Sequence, residues 1–151
     1  MKLQNRITFL LYFLSVFMLF GFTNNLNDVL FEKYECISTN FPLNEPDFES
    51  NKDYKRFKTI INEKCKEGIN FANRYTIVTW GCGTNCQYSI LVDRKDGKIY
   101  DGVASTYGLT YKQRSRVLIV NDPKNFPEDG TPLDTTRYYL VDNGTLEEIN
   151  P

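Results

Sequence analysis

The sequence predicts an α+β fold, with an N-terminal helical segment packed on an antiparallel β-meander of about six strands. Three observations predict it: apolar residues spaced three and four apart before Gly68, strand-like runs one after another from residue 71 onward, and tight-turn pairs that divide this second half. With 151 residues, 41% hydrophobic and 15% aromatic, the chain supports one domain with a real core rather than two.

The helix comes first. In "SNKDYKRFKTIINEKCKEG", Tyr54, Phe57, Ile61 and Cys65 fall at steps of three, four and four, which is one stripe of an amphipathic helix. Ser50 is placed to cap its start, Asp53 three residues on completes a capping box, and Gly68 suits the left-handed position just past its end. Ahead of it, "VLFEKYECIS" is a short apolar segment that needs a surface to pack on.

The strands follow. Tyr75, Ile77 and Thr79 alternate with Thr76, Val78 and Trp80; Tyr88, Ile90 and Val92 resume the pattern beyond "CGTNC". Asp96-Gly97 turns the chain into "KIYDG", Ser115 to Val120 reads as a buried central strand, and Asn143-Gly144 closes a last hairpin. Residues 104–114, with Tyr107 and Tyr111, and residues 121–134, with three prolines, read as loops. Lys112, Arg114 and Arg116 alternate beside "VLIV" in the manner of an edge protected from aggregation. Asn143-Gly144-Thr145 also matches a glycosylation acceptor, but the turn accounts for it without sugar.

Residues 1–23 stand apart. Lys2 and Arg6 precede an apolar run from Ile7 to Phe22, the charged head and apolar middle of an export signal, with an uncleaved anchor as the alternative. Residues 24–151 are then a single α+β domain, exported to the periplasm or cell envelope or secreted. The net charge of -1 is spread over the chain, which argues against a nucleic-acid partner and leaves membrane contact only to the leader, if uncleaved. Oligomeric state has no signature in the sequence.

Export sets how Cys36, Cys65, Cys82 and Cys86 are read. An even number of cysteines in an oxidising compartment points to disulfides, and four cysteines allow three pairings. Cys65 faces the core on the helical stripe, and Cys36 has no nearer buried candidate, so the expected bridges are 36 to 65 and 82 to 86. The chain-entropy model assigns about 3.5 kcal/mol to the first and about 2 kcal/mol to the second. The small ring therefore serves mainly to shape Gly83, Thr84 and Asn85.

The stretch "GINFANRYTIVTWGCGTNCQYSILVDRKDGKIY", residues 68 to 100, carries Asn70, Phe71, Ala72, Tyr75, Trp80, Gly81, Cys82, Gly83, Thr84, Cys86, Asp93, Gly97 and Lys98. In these residues it resembles the signature of a family of small exported bacterial proteins without an assigned activity. The resemblance implies an exported domain with these boundaries and supplies no mechanism.

The chain has no histidine, which removes Ser-His and Cys-His catalysis and histidine-ligated metal sites. The cysteines are separated by 28, 16 and 3 residues, unlike the paired knuckles of structural zinc, and no metal or cofactor is expected. Asp93, Asp96, Asp101, Glu128 and Asp129 could in principle serve an envelope hydrolase, but solvated turn acids explain them. Trp80 and Tyr88 flank the ring, giving a rigid polar tip between two large amphipathic side chains, the composition of an interface. Packing of both on the helix is the competing explanation.

The expected function is thus an exported, non-catalytic binding protein of the cell envelope. Trp80, Gly83, Thr84, Asn85, Gln87 and Tyr88 would form the contact surface for an envelope or secreted protein or a wall-associated ligand. The alternative is a thiol–disulfide oxidoreductase using Cys82 and Cys86.

Overall fold

The computed structural model describes residues 25–38, 40–128 and 133–151; the expected leader and Asp129 lie outside them. Helix α1 spans Leu26–Lys33, and a 3-10 segment, Lys52–Phe57, leads directly into α2, Lys58–Lys66. Eight strands follow: β1 Tyr75–Gly83, β2 Cys86–Asp93, β3 Ile99–Tyr100, β4 Ala104–Ser105, β5 Leu109–Tyr111, β6 Val117–Val120, β7 Arg137–Asp142 and β8 Thr145–Ile149.

The α+β class holds, but the single meander of about six strands gives way to two four-stranded antiparallel sheets. The first has the order β1-β2-β3, with β4 also paired to β2; the second has the order β5-β6-β7-β8. The expected loop at 104–114 contains β4 and β5, which exist only through their partners, Gln87 and Tyr88 for one and β6 for the other. Between them the chain crosses from sheet to sheet. Asn121 is buried there, and its carboxamide oxygen accepts from the backbone N–H groups of Thr106 and Tyr107 at 2.9 and 2.8 Å.

Side-chain alternation now explains the layering. Tyr75, Ile77 and Leu91 meet Leu118, Val120, Tyr139 and Val141 across a central core that also holds Phe71. On the outer face of the first sheet, Val78, Ile90 and Val92 pack on Tyr54, Ile61 and Cys65. On the outer face of the second, Val117 and Ile119 pack on Leu30 and Phe31 of α1. The order is helix, sheet, sheet, helix. Because both faces of β6 are covered, "VLIV" is apolar without alternation, and each such side chain contributes about 1.5–3 kcal/mol of burial.

Three local expectations change. Gly68 takes the left-handed position with φ 96°, as expected, but Ser50 does not cap. Its hydroxyl donates to the Asp47 carbonyl at 2.6 Å and accepts from the Ile99 N–H at 3.0 Å, so it ties the approach to the helix onto β3. The basic residues before β6 do not protect an edge, since β6 lies inside its sheet. Instead Lys112 pairs with Asp28 and Arg114 with Glu35, each at 2.9 Å, fastening α1 and the turn after it. The expected bridge between Cys36 and Cys65 is absent; both are free thiols. Cys36 donates its N–H to the Arg114 carbonyl and packs against the central core, whereas Cys65 sits between α2 and the outer face of the first sheet. Cys65 is buried as expected and Cys36 is half-buried, and the two belong to different layers.

Tyr75 gives the fold an alkaline limit. Burial, opposed in part by Arg74, pushes its phenol up to about 12. An unfolded tyrosine ionises near pH 10, so above that pH the unfolded chain binds fewer protons than the folded one and stability falls as pH rises. The contribution is complete below about pH 10 and lost by about pH 12, a decline of about 3 kcal/mol. Urea midpoints measured from pH 9 to 12 should fall accordingly, and Tyr75→Phe should flatten the decline.

Candidate functional site

The tip of the β1–β2 hairpin is built by an irregular register. Trp80 pairs with Tyr88 and Gly81 with Gln87, but the next pair is Gly83 with Cys86, which leaves Cys82 as the extra residue of a bulge. The Cys82–Cys86 disulfide, expected from the sequence, closes the tip across this bulge. Asn85 adopts φ 53°, a conformation asparagine tolerates, and Gly83, Thr84 and Asn85 are exposed.

Beneath the tip, Trp80 and Tyr88 project from the outer face of the first sheet. The Trp80 indole stacks on Phe57 at 4.4 Å and meets the edge of Tyr54 at 6.0 Å, with the Tyr88 ring 5.8 Å away. The expected packing on the helical segment is met. The two aromatics pack on the helical segment, yet each stays half-buried and lines an open cleft of about 730 Å³. Asp53, Arg56, Cys82 and Cys86 complete its walls, and the Arg56 guanidinium lies over Phe57 at 4.7 Å.

A chain of hydroxyls braces the cleft. Tyr54 and Tyr88 share a hydrogen bond at 3.3 Å, and the Tyr54 hydroxyl donates to Asp101 at 2.6 Å. Burial, reinforced by the bonds to Asp101 and Tyr88, raises the Tyr54 phenol far above its usual range. Tyr54 is thus a fixed donor and takes no part in proton exchange near neutrality.

The structure brings Trp80, Tyr88, Cys82 and Cys86 into one cleft and sets Gly83, Thr84 and Asn85 at its rim. Gln87 is exposed but alternates onto the opposite face of β2 from Tyr88, towards Gly108. Asp53, Tyr54, Arg56 and Phe57 were not foreseen as parts of a site, and Asp101, considered only among the turn acids, enters it as the acceptor for Tyr54. The available signal was Phe57, a large aromatic at the junction of the 3-10 and α segments, where the stripe turns towards solvent.

The other candidates separate. Asp93 is fully buried, not a solvated turn acid: its carboxylate accepts from Arg74 Nε at 2.8 Å and from the Lys95 N–H at 2.9 Å. Asp96 and Glu128 are exposed, and no group of three His, Cys, Asp or Glu side chains converges among the described residues. Burial also pushes the Cys65 and Cys36 thiols up, away from reactivity. Thiol titration should detect two free thiols per chain after unfolding without reductant, and native Cys65 should resist alkylation. A mapped link between residues 36 and 65 would overturn this arrangement.

Much of the segment 70–75 serves folding. The Asn70 side chain makes two bonds to the Ile77 backbone, Phe71 and Tyr75 enter the core, and the Asn73 side chain donates to the Cys36 carbonyl at 2.8 Å. Ala72 and Asn73 carry the chain through two successive left-handed positions. No protein-family model, no curated protein and no solved structure matches the chain.

Proposed function

We propose that the chain is an exported, non-catalytic binding protein of the cell envelope that presents the disulfide-closed β1–β2 tip and the adjoining aromatic cleft to a partner protein. The observation that carries this reading is the pairing of a pre-shaped exposed tip with half-buried Trp80 and Tyr88 in an open cleft. A closed ring loses little conformational entropy on docking, and tryptophan and tyrosine are frequent binding anchors.

The Thr84→Ala/Asn85→Ala variant should keep the parent's thermal midpoint while capture of the partner from envelope extract falls by about tenfold, a loss of about 1.4 kcal/mol. Unchanged capture would remove the tip from the reading. The oxidoreductase alternative requires a labile bond and a reduced protein that reduces a test disulfide. Cys82 and Cys86 lie on strands rather than at a helix N-terminus that would stabilise a thiolate, so the potential is expected below about -300 mV, in the structural range.

A further inference from the structure

We infer that the free edge of β1, from Val78 to Gly81, binds an extended, basic segment of a partner polypeptide by adding it to the first sheet as another strand. This deepens the proposed function and rests on its reading of the chain as a polypeptide-binding protein. The first half of the β1 edge is already occupied: the Tyr75 carbonyl accepts from the N–H groups of Asn70 and Phe71, each at 3.1 Å. One step on, the Asn70 carboxamide donates to the Ile77 carbonyl at 3.1 Å and accepts from the Ile77 N–H at 2.8 Å. A side-chain amide here makes the two bonds that the backbone of a neighbouring strand would make.

Beyond Ile77 this covering stops. Backbone direction alternates along a strand, so Thr79 and Gly81 present N–H and C=O on the same side as Ile77, away from β2. Partner geometry agrees, because Ser89, opposite Thr79, exchanges both its backbone bonds with Val103 on the far side of β2. As β1 ends the sheet, these four polar groups have no protein partner among the described residues. They also lack the usual protection of an edge: "TWG" contains no charge and no proline, and the bulge begins only at Cys82.

A groove of about 360 Å³ runs beside this edge, where Val78 and Thr79 face Ile60, Glu63, Glu67 and Tyr111. Ile60 is exposed, an apolar surface for a side chain of the added strand. Lys64 is paired to Glu67 at 2.6 Å, whereas Glu63 has no ion partner among the described residues. The groove therefore favours an apolar residue next to a basic one. A second copy of this chain fits less well. Twofold antiparallel pairing about Trp80 would set Cys82 and Gly83 of that copy beside the groove, offering a disulfide ring and no apolar or basic side chain to fill it. Strand addition supplies main-chain bonds for affinity and alternate side chains for specificity.

The test uses the unmodified chain and the probe peptide acetyl-Val-Lys-Val-Lys-Val-amide at millimolar concentration, read by amide hydrogen exchange. Exchange at Thr79 and Gly81 should slow by about tenfold while the amides already bonded to β2 are unchanged. The same peptide N-methylated on alternate amides should give no slowing, and the Val-Glu-Val-Glu-Val counterpart should bind about tenfold more weakly. No slowing with the parent peptide, or equal binding of the N-methylated or acidic peptide, would overturn the inference. So would protection of Thr79 and Gly81 that rises with protein concentration alone alongside a dimer in sedimentation, which would make a second copy the occupant. Failure here leaves the reading of the tip standing, whereas unchanged capture by Thr84→Ala/Asn85→Ala removes the tip without altering the exchange result.

Discussion

Arg74→Ala is expected to destabilise the fold by about 3–5 kcal/mol, the range found when one member of a buried ion pair is removed. The asymmetry of burial is the reason. Arg74 keeps 31% of its side chain exposed, whereas Asp93 is 0% exposed, so deleting the arginine strands a carboxylate that water does not reach. Two guanidinium nitrogens contact one Asp93 oxygen, and the other oxygen accepts from Lys95, starting the turn into β3. If charge burial is the cause, Arg74→Ala/Asp93→Asn should recover more than about 1 kcal/mol, since a neutral amide costs less to leave unpaired. Equilibrium urea unfolding decides it: a single-variant loss below 1 kcal/mol would show that water or another cation reaches Asp93.

Gly102→Ala is the second large effect. A Cβ at Gly102 would lie 1.9 Å from the Ser89 carbonyl oxygen and 2.6 Å from its carbon, both backbone atoms in the interior strand of the first sheet. No rotamer change relieves that overlap. The segment 101–105 would have to lift off β2, breaking the paired bonds between Ser89 and Val103 and the β4 ladder beyond them. A cost of at least about 3 kcal/mol is expected, at the upper end for overpacking. Gly81→Ala, with nothing within 4 Å of its Cβ, is the control and should cost less than about 1 kcal/mol. Equal unfolding midpoints for the two variants would contradict the close approach at Gly102.

Neither residue announced its importance in the sequence. Asp93 stands beside "RKDGK" and looks like one more turn acid, because nothing local shows that Arg74, nineteen positions earlier, is directed to it by the pairing of Tyr75 with Asp93. The strands legible from sequence were those whose signal is local: alternation in β1 and β2, and the Asn143-Gly144 turn, where both residues take positive φ. The split into two sheets was not legible. Alternation says that a strand has two faces, but when both are buried it does not say which neighbour covers each. The same ambiguity misplaced Cys36. Of the site, the ring and its flanking aromatics could be read directly, whereas the cleft required Tyr54 and Phe57 to arrive from a segment more than twenty residues upstream.

The seating of α1 has a consequence for the order in which the molecule can assemble. Leu30 and Phe31 are among the first described residues of the chain, yet their packing partners, Val117 and Ile119, are made more than eighty residues later. An eight-residue helix is marginal in water by itself. During synthesis, therefore, the first sheet and its helix can be complete while α1 has no surface to occupy. Its register is set only when β6 and β7 emerge and Lys112 and Arg114 meet Asp28 and Glu35. α1 therefore closes only after β6 and β7 are made, and until then Leu30 and Phe31 remain open to whatever escorts a nascent chain.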